Sequence, residues 1–415
     1  MRKILFAAAL LVPSAAFAGG YNIPDENART LGLSQADLAN QTGAEAILIN
    51  PAGLAGQIGL DLSASLEYLD NRTTWSDPDL GSAKLLNHLN TPPAVAASFG
   101  DVLPNDMMWA AAVGFDIPAG GALHWPTGWP GQEYIQSVDQ KVYQFVVGGA
   151  FQPIPYLSVG AAYVRGQGTE ELHQEINFID HYGDAGLAMS GGGNTFIASG
   201  QGRLPWIPLQ LAVSFKYKGS TTINGNAHFT NVPPAFTTEL QDQAVSEELT
   251  LPSELHAGAS YEVYKDLTVM ATFTEEFWSV YHSDTFIGAT GFSVIVPRNY
   301  NDAQVYRLAA EWAHVPFLPA LTLRLGGLRS ESNQPTSTVS PSLTDGSSWA
   351  VSVGAGYDIL PQLRVDLGYQ HAFFDDVTAS GSETLAGTYK TQVDLLSLGL
   401  NWRFDLLGRA NEKHW

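Results

Sequence analysis

The segment Leu396-Ser397-Leu398-Gly399-Leu400-Asn401-Trp402-Arg403-Phe404 contains the pattern on which the fold depends. Apolar or aromatic residues alternate with small or polar ones, and this period of two places the two sets on opposite faces of a β-strand. The same alternation recurs at 60–69, 209–218 and 363–370. Such strands run to about ten residues, the length that crosses a bilayer at a tilt. A soluble β-sandwich would alternate in the same way, so periodicity alone does not decide the class.

Two further features favour a barrel in a membrane. Aromatic residues cluster towards the ends of the alternating segments, as interfacial girdles require; they include Tyr68, Tyr217, Phe277, Trp278, Trp349 and Trp402. Short turns alternate with long polar loops, which we expect near 71–91, 118–140, 168–194, 221–246, 281–302, 331–346 and 375–388. This asymmetry is typical of bacterial outer-membrane barrels. We therefore predict an all-β fold, a transmembrane antiparallel β-barrel of about 14 strands.

The composition argues against several other classes of protein. Charged residues make up 15% of the chain, against about 25% in typical soluble domains. Cysteine is absent, so an exported fold must be held by hydrogen bonds and burial alone. The net charge of −21 argues against a nucleic-acid partner, because phosphates demand lysine and arginine. No close metal-ligand spacing, nucleophile elbow or P-loop occurs, and we expect no metal, no cofactor and no enzymatic activity.

The first 55 residues do not follow the strand pattern. Met1-Arg2-Lys3, an apolar run and Ala16-Phe17-Ala18 are typical of a secretory signal peptide that is cleaved after this last triplet. The next stretch has helix-compatible pieces at 25–33 and 35–38, and either sits in the periplasm or folds back into the lumen. The predicted organisation is a signal peptide at 1–18, an N-terminal hatch plugging the lumen at 19–55, the barrel at 56–404 and a tail at 405–415.

Several short motifs follow one another along the chain in a specific order and spacing. They are Gly20-Tyr21-Asn22-Ile23, Asn27-Ala28-Arg29-Thr30-Leu31-Gly32, Asn50-Pro51-Ala52-Gly53-Leu54, Gly114-Phe115-Asp116-Ile117-Pro118-Ala119-Gly120-Gly121, Leu251-Pro252, Trp278-Ser279, Asn299-Tyr300-Asn301-Asp302-Ala303 and Tyr306-Arg307-Leu308-Ala309. Together they resemble the long-chain fatty-acid outer-membrane transporters of the FadL/TodX/OmpP1 family over residues 19–404. The resemblance implies a monomeric, plugged barrel in the outer membrane of a Gram-negative bacterium.

The resemblance also implies passive uptake of hydrophobic compounds, long-chain fatty acids or hydrocarbons, with sideways exit where the third strand kinks. That strand is expected at 107–117, with its break at Pro118, Gly120 and Gly121, since proline and glycine weaken ladder pairing. Tyr21 and the run Asn50-Pro51-Ala52-Gly53 would belong to the hatch and its junction with the barrel. The implied partners are the hydrophobic ligand, outer-membrane lipids and the barrel-assembly machinery.

Two sets of residues are candidates for ligand binding. An apolar chain gains about 0.8 kcal/mol per buried methylene, and the outer loops offer Phe178, Ile179, Leu187, Phe229 and Phe236. The alternative for this set is packing of loop against loop. A carboxylate head needs a base facing the lumen; strand parity favours Lys216, Lys218, Arg307, Arg324 and Arg364, while Arg165 has outward parity but lies near a loop end.

The family pattern places one ligand-binding base near Arg165 and another just before Asp302. Here the second position is Asn301, and Arg298 nearby is the candidate substitute. The alternative for any lumenal base is an ion pair with an acidic neighbour, of which the candidates are Asp61, Glu67, Glu311 and Asp366. The missing base leaves a neutral hydrocarbon or sterol-like ligand open beside a fatty acid. A porin for polar solutes and an adhesion or receptor barrel remain as alternative functions.

Overall fold

The computed structural model describes residues 27–86, 90–291, 293–342, 344–381 and 384–405. The expected signal peptide, Tyr21 and all but the first residue of the expected tail lie outside these ranges. Among the described residues, no helix is long and apolar enough to cross a membrane.

The described strands form one antiparallel sheet. They are β1 (Gly59–Asp77), β2 (Gly81–Lys84), β3 (Pro93–Val102), β4 (Met108–His124), β5 (Ser137–Ile154), β6 (Leu157–Asn177), β7 (Tyr182–Arg203), β8 (Leu209–Lys216), β9 (Gly219–Thr230), β10 (Gln243–Leu251), β11 (Glu254–Tyr264), β12 (Leu267–Glu276), β13 (Ser283–Gly288), β14 (Ser293–Pro297), β15 (Ala303–Trp312), β16 (Leu321–Ser330), β17 (Ser348–Leu360), β18 (Leu363–Phe374), β19 (Val377–Ala379) and β20 (Gly387–Phe404).

The sheet closes on itself because β1 pairs with β20, from Leu60 opposite Phe404 to Ser76 opposite Thr388. Four wall positions are made of two segments each, namely β8 with β9, β10 with β11, β12 with β13 and β14 with β15. The strands β2 and β19 are short hairpin additions. The wall therefore has 14 positions, and the predicted barrel is confirmed.

The two faces of the wall follow the predicted parity. In β1, Asp61 and Glu67 are buried towards the lumen, whereas Leu66 is 53% exposed on the outer face. In β20, Ser397 is buried and Leu398 is 53% exposed. An outward apolar band with a polar interior is the arrangement that a bilayer selects, because the outer side chains meet lipid.

The prediction of a long loop at 168–194 is wrong. β6 continues to Asn177 and β7 begins at Tyr182, so a four-residue turn joins them. Apolar inward residues stabilise this extension: Leu172 lies opposite Leu187, and both belong to a large buried cluster. The loop expected at 221–246 is shortened in the same way, by β9 and β10.

Residues 27–55 lie inside the barrel, near the end with the short turns. They form the helix α1 (Ala28–Leu31) and three 3₁₀ turns at Leu38–Asn40, Ala44–Leu48 and Pro51–Leu54. The helical pieces expected at 25–33 and 35–38 are shorter in the structure, because Ser34 and Gln35 have positive φ and turn the chain. Leu31, Ile47 and Leu54 are fully buried. We call this segment the plug.

An ion network fastens the plug to the wall. The Arg29 guanidinium lies 3.1 Å from Glu311 of β15 and 2.9 Å from Asp37 of the plug itself. Arg324 of β16 extends the network, 2.7 Å from both Glu311 and Asp366. Breaking a buried network of this kind typically costs 3–5 kcal/mol, because the remaining partner stays buried without its counter-charge.

The run Asn50-Pro51-Ala52-Gly53 packs against β6 and β7. The Asn50 side-chain amide donates to Gln201 Oε1 at 2.7 Å, and the Ala52 N–H donates to Ser199 Oγ at 2.8 Å. The turn comes so close to β6 that a Cβ atom at Gly160 would lie 2.3 Å from the Ala52 nitrogen. The motif therefore holds the end of the plug against the inner wall.

We predict that Gly160→Ala destabilises the folded barrel, because its methyl group must displace the backbone of the plug. Gly200→Ala is the matched control, since its Cβ would meet no atom closer than 3.9 Å. The measurement is the temperature at which the folded form unfolds on SDS gels. Equal transition temperatures for the two variants would contradict the proposed packing.

Candidate functional site

Three adjoining cavities lie in the lumen above the plug. The central cavity, of about 120 Å³, borders β1, β4 and the strands from β15 to β20. The side cavity, of about 110 Å³, borders β4 to β9 on the other side of the barrel. A smaller connecting cavity of about 60 Å³ reaches the plug at Gln35, Leu48 and Ile49. It shares lining residues with both of the others, so the three form one chamber.

The larger part of the surface that lines the central cavity is apolar, beside ten polar residues that include Glu276, Arg307, Glu331 and Asp345. The inward positions are polar beside the plug, as at Ser352 and Ser397, and become apolar higher in the same strands, as at Ala350 and Leu395. The apolar lining consists of Leu69, Leu123, Val305, Leu328, Ala350, Ala372, Phe374, Val393 and Leu395. Larger barrels usually enclose a polar interior, so this lining favours an apolar ligand.

The connecting cavity contains two bases and three carboxyl groups. Lys216 Nζ lies 3.9 Å from Glu254 Oε1, and Arg307 Nη1 donates to the Thr274 hydroxyl at 2.7 Å. Asp116 and Glu276 line the same cavity, and Glu254 also contacts His256 at 3.2 Å. The carboxyl groups of this set outnumber its bases, so the chamber offers no excess positive charge to a free carboxylate.

The other predicted bases lie elsewhere. Lys218 lies beyond the end of β8 and is exposed, so the inward orientation predicted from parity is wrong. Arg165 is an exposed residue within β6, where its Nη1 donates to Asn194 Oδ1 at 2.9 Å. Arg298 is 1% exposed and binds Asp284 at 2.7 Å in the outer part of the molecule. None of these three lines the chamber.

Arg324 and Arg364 do face the lumen, as predicted, but on the far side of the plug. Arg364 lies 3.1 Å from both Asp358 and Asp366, and both arginines line a separate polar cavity of about 430 Å³ beside Arg29. These bases have the acidic partners that were expected as the alternative to a ligand. Arg324 is linked to Arg29 of the plug through Glu311, whereas Arg364 pairs with carboxylates of the wall.

The apolar loop residues pack together above the chamber. Phe178, Leu187 and Phe229 belong to one buried cluster, and Phe236 packs against it with its ring centroid 5.4 Å from that of Phe178. Ile179 is 95% exposed and does not take part. The cluster covers the chamber on its outer side, with Leu187 in β7, Phe229 in β9 and Phe178 in the turn before β7.

The sequence analysis missed a group of tryptophans in this cover. The rings of Trp125 and Trp129 stack with centroids 4.2 Å apart, and Trp75 meets Trp129 edge-on at 5.9 Å. The Trp129 indole N–H donates to the Ile135 carbonyl at 3.0 Å. The sequence feature that could have revealed this group is the presence of three tryptophans in segments that were expected to be polar loops.

One carboxyl in the outer loops borders the central cavity. Asp345 lies between β16 and β17, and its Oδ2 accepts a hydrogen bond from the Ser332 hydroxyl at 3.2 Å. Burial raises the pKa of Asp345 to about 7, although this hydrogen bond acts in the opposite direction. The upper wall of the cavity therefore loses negative charge as the pH falls through neutrality.

The third wall strand is irregular where a kink was expected, but it does not end there. β4 runs on to His124, with a register shift between Asp116 opposite Gln144 and Ala119 opposite Val142. Ile117 and Pro118 thus oppose a single residue of β5, which is a β-bulge. On its other edge β4 pairs with β3 only as far as Phe115, and the central cavity reaches the wall here at Gly120 and Gly121.

The family model described as outer membrane protein transport protein (OMPP1/FadL/TodX) matches residues 9–203 and 208–404. Among solved structures, a Pseudomonas aeruginosa FadL homologue is similar, with a TM-score of 0.81, 15% identity, and coverage of 93% of this chain and 100% of that one. The CymD monoaromatic hydrocarbon channel has a TM-score of 0.70 and 17% identity, with coverage of 92% of this chain and 99% of that one. The P. putida toluene transporter TodX has a TM-score of 0.68 and 15% identity, with coverage of 90% of this chain and 98% of that one. No curated protein sequence matches the chain.

We predict that Lys216→Met destabilises the barrel more than the double variant Lys216→Met/Glu254→Gln. The single change leaves the Glu254 carboxylate without its nearby lysine, whereas the double change removes both charges; coupling of about 1 kcal/mol is expected for such a pair. Urea unfolding in detergent micelles measures it. The exposed Lys218→Met is the control and should change stability little. Strictly additive effects would rule out the pairing.

Proposed function

The chain belongs to the OMPP1/FadL/TodX family of outer membrane transport proteins, and on this premise we propose that it takes up small hydrophobic molecules by passive diffusion. The ligand enters the lumenal chamber and leaves sideways through the wall into the membrane. The observation that carries the proposal is the aliphatic central cavity, closed below by the plug and bordered by the irregular edge of β4. No chemical step is involved in this role.

The plug argues against a porin for polar solutes. A water-filled pore needs an open lumen, but residues 27–55 are packed into it and bound to β7, β15 and β17 through Asn50, Arg29 and Ser34. An adhesion or receptor barrel would not need an apolar chamber above such a plug. A sideways route is the one that spares an apolar ligand from crossing water.

The chamber favours a compact neutral ligand over a long-chain acid. Its two bases lie among three carboxyl groups, Asp116, Glu254 and Glu276, so a carboxylate head would have to compete with charges already in place. The central cavity and the side cavity each approach the size of an apolar cavity of about 150 Å³ that holds benzene. Two of the similar structures are the CymD monoaromatic hydrocarbon channel and the toluene transporter TodX. We therefore propose aromatic hydrocarbons or short alkanes as the ligand class.

The assembly follows from the closed wall. Since β1 pairs with β20 of the same chain, the barrel has no free edge to offer to a second copy, and we propose that it works as a monomer. Its insertion would need the barrel-assembly machinery, and its ligand is released to outer-membrane lipids. The apolar cluster with Phe178, Leu187, Phe229 and Phe236 would serve as the outer cover that the ligand must pass.

We predict that cells with the protein take up radiolabelled toluene faster than cells from which its gene is deleted. The same comparison for radiolabelled laurate should show a smaller increase in the uptake rate. Toluene needs no counter-charge, whereas laurate must compete with Glu254 for Lys216 and meets the further carboxyl groups Asp116 and Glu276 in the same cavity. Initial uptake rates at equal external concentration provide the measurement. A larger gain for laurate would contradict the neutral-ligand proposal, and no gain for either probe would contradict uptake itself.

We predict that deletion of Ile117 slows toluene uptake while the barrel still folds. Two residues of β4 oppose one of β5 at the bulge, so removal of one residue restores a regular ladder and narrows the sideways opening. Heat-modifiable migration on SDS gels checks folding, and toluene uptake checks transport. A folded deletion variant with the uptake rate of the parent would disprove lateral exit at this bulge.

A further inference from the structure

A second interruption of the wall lies between β7 and β9, and β5 and β6 separate it from the β4 bulge. The ladder with β9 ends where Ser190 lies opposite Asn224, and the ladder with β8 begins only where Ile197 lies opposite Lys216. Residues 191–195 therefore belong to neither ladder on this edge, and the Phe196 carbonyl accepts a backbone hydrogen bond from the Tyr217 N–H at 3.0 Å. The wall position that faces this edge of β7 is made of two segments, β8 and β9. Tyr217 and Lys218 separate these two segments beside the interruption.

The side cavity runs from the lumen to this interruption. At its inner end it is lined by Lys216, Glu254 and Trp278, which face the chamber. At its outer end it is lined by Asn194 and Tyr217, which are exposed on the outer face of the barrel. The side cavity therefore reaches from the chamber to the wall at the interruption, where residues of both faces line it.

The middle of the side cavity suits a hydrocarbon. Its apolar lining residues are Pro118, Ala119, Val142, Val164, Ile223, Leu251 and Trp278. Where β6 and β7 line the cavity, four glycines leave the wall without side chains: Gly166, Gly168, Gly191 and Gly193. Cβ atoms built on Gly166 and Gly168 would meet no atom closer than 3.8 Å, so the space beside β6 is open.

The outer mouth carries the features of a membrane interface. The rings of Phe196 and Tyr217 stack with centroids 5.1 Å apart, and both side chains are exposed to the exterior. Beside them, Asn194 Oδ1 accepts hydrogen bonds from Tyr163 at 2.6 Å and from Arg165 at 2.9 Å. Aromatic rings mark the level at which hydrocarbon gives way to head groups, so the mouth opens at the outer boundary of the bilayer.

We propose that the interruption between β7 and β9 is a second lateral passage, through which the apolar ligand in the side cavity exchanges with the outer leaflet. The passage rests on the proposed function, since it serves the same chamber. It differs from the exit at β4 in its strands and its mouth, while Pro118 and Ala119 of β4 line the side cavity as well. It also gives Arg165 a place at the outer mouth rather than inside the barrel.

A disulfide across the interruption tests the passage. A Cβ atom on Gly219 would lie 3.9 Å from Thr195 Cβ, within the range of about 3.5–4.5 Å that disulfides need, and the chain contains no other cysteine. Thr195→Cys/Gly219→Cys is therefore reconstituted in vesicles with a photoreactive aryl diazirine dissolved in the bilayer. Labelling of peptides that contain Ile223 and Trp278 is measured with the disulfide oxidised and after reduction.

The cysteine pair is tested in the Ile117 deletion variant, in which the exit at β4 is narrowed, and there we expect oxidation to lower this labelling several-fold and reduction to restore it. Labelling of Leu398 on the outer face should stay unchanged. Equal labelling in both redox states would overturn the second passage. Toluene uptake by the reduced cysteine variant without the deletion is measured in parallel. If labelling responds but toluene is not taken up, the passage stands and the proposed uptake fails; if toluene is taken up and labelling does not respond, only the passage fails.

A second variant avoids any dependence on disulfide formation. Gly168→Leu places a side chain into the open space of the side cavity and should lower labelling of Ile223 and Trp278 in the same experiment. Gly200→Leu is the matched control, because Gly200 has equal room around its Cβ but does not line the cavity. Equal labelling of the two leucine variants would overturn the proposal whether or not the disulfide forms.

Discussion

Each backbone N–H and C=O group that faces lipid without a partner costs several kcal/mol, and this constraint shapes the whole wall. It explains why β1 returns to pair with β20 and why the outward positions of both strands are aliphatic. It also makes interruptions of the ladder informative, because a gap is tolerated only where it borders a cavity or other protein groups. The bulge of β4 and the gap between β7 and β9 both border the lumenal chamber.

Inside the wall, two kinds of interaction divide the lumen into levels. Near the short turns, charge pairs around Arg29, Glu311 and Arg324 hold the plug against the strands. Above it, the inward positions become aliphatic, and the remaining bases at Lys216 and Arg307 face carboxylates. The polar route along the barrel axis is thus filled, while the apolar space leads towards the sides. Transport of a hydrophobic ligand follows from this division.

Local periodicity predicted much of this arrangement. Parity alone placed Lys216, Arg307 and Arg324 in the lumen, because side-chain direction in a strand depends only on the residue count. It failed at Lys218, where the strand had already ended, and it could not pair Lys216 with Glu254, since those residues come from different strands. The long loop expected at 168–194 was wrong for a related reason: an inward apolar residue above the membrane resembles a loop residue until its partner across the sheet is known.

The most direct test of a plugged barrel with a sideways apolar route is electrical recording from the purified protein in planar bilayers. The intact protein is predicted to give no steady ion current, because residues 27–55 fill the lumen near the end with the short turns. A variant lacking residues 27–55 is predicted to conduct ions. It serves as the control, because its current would show that the barrel inserts into the bilayer. A large and steady conductance from the intact protein would contradict the plugged barrel and favour a porin.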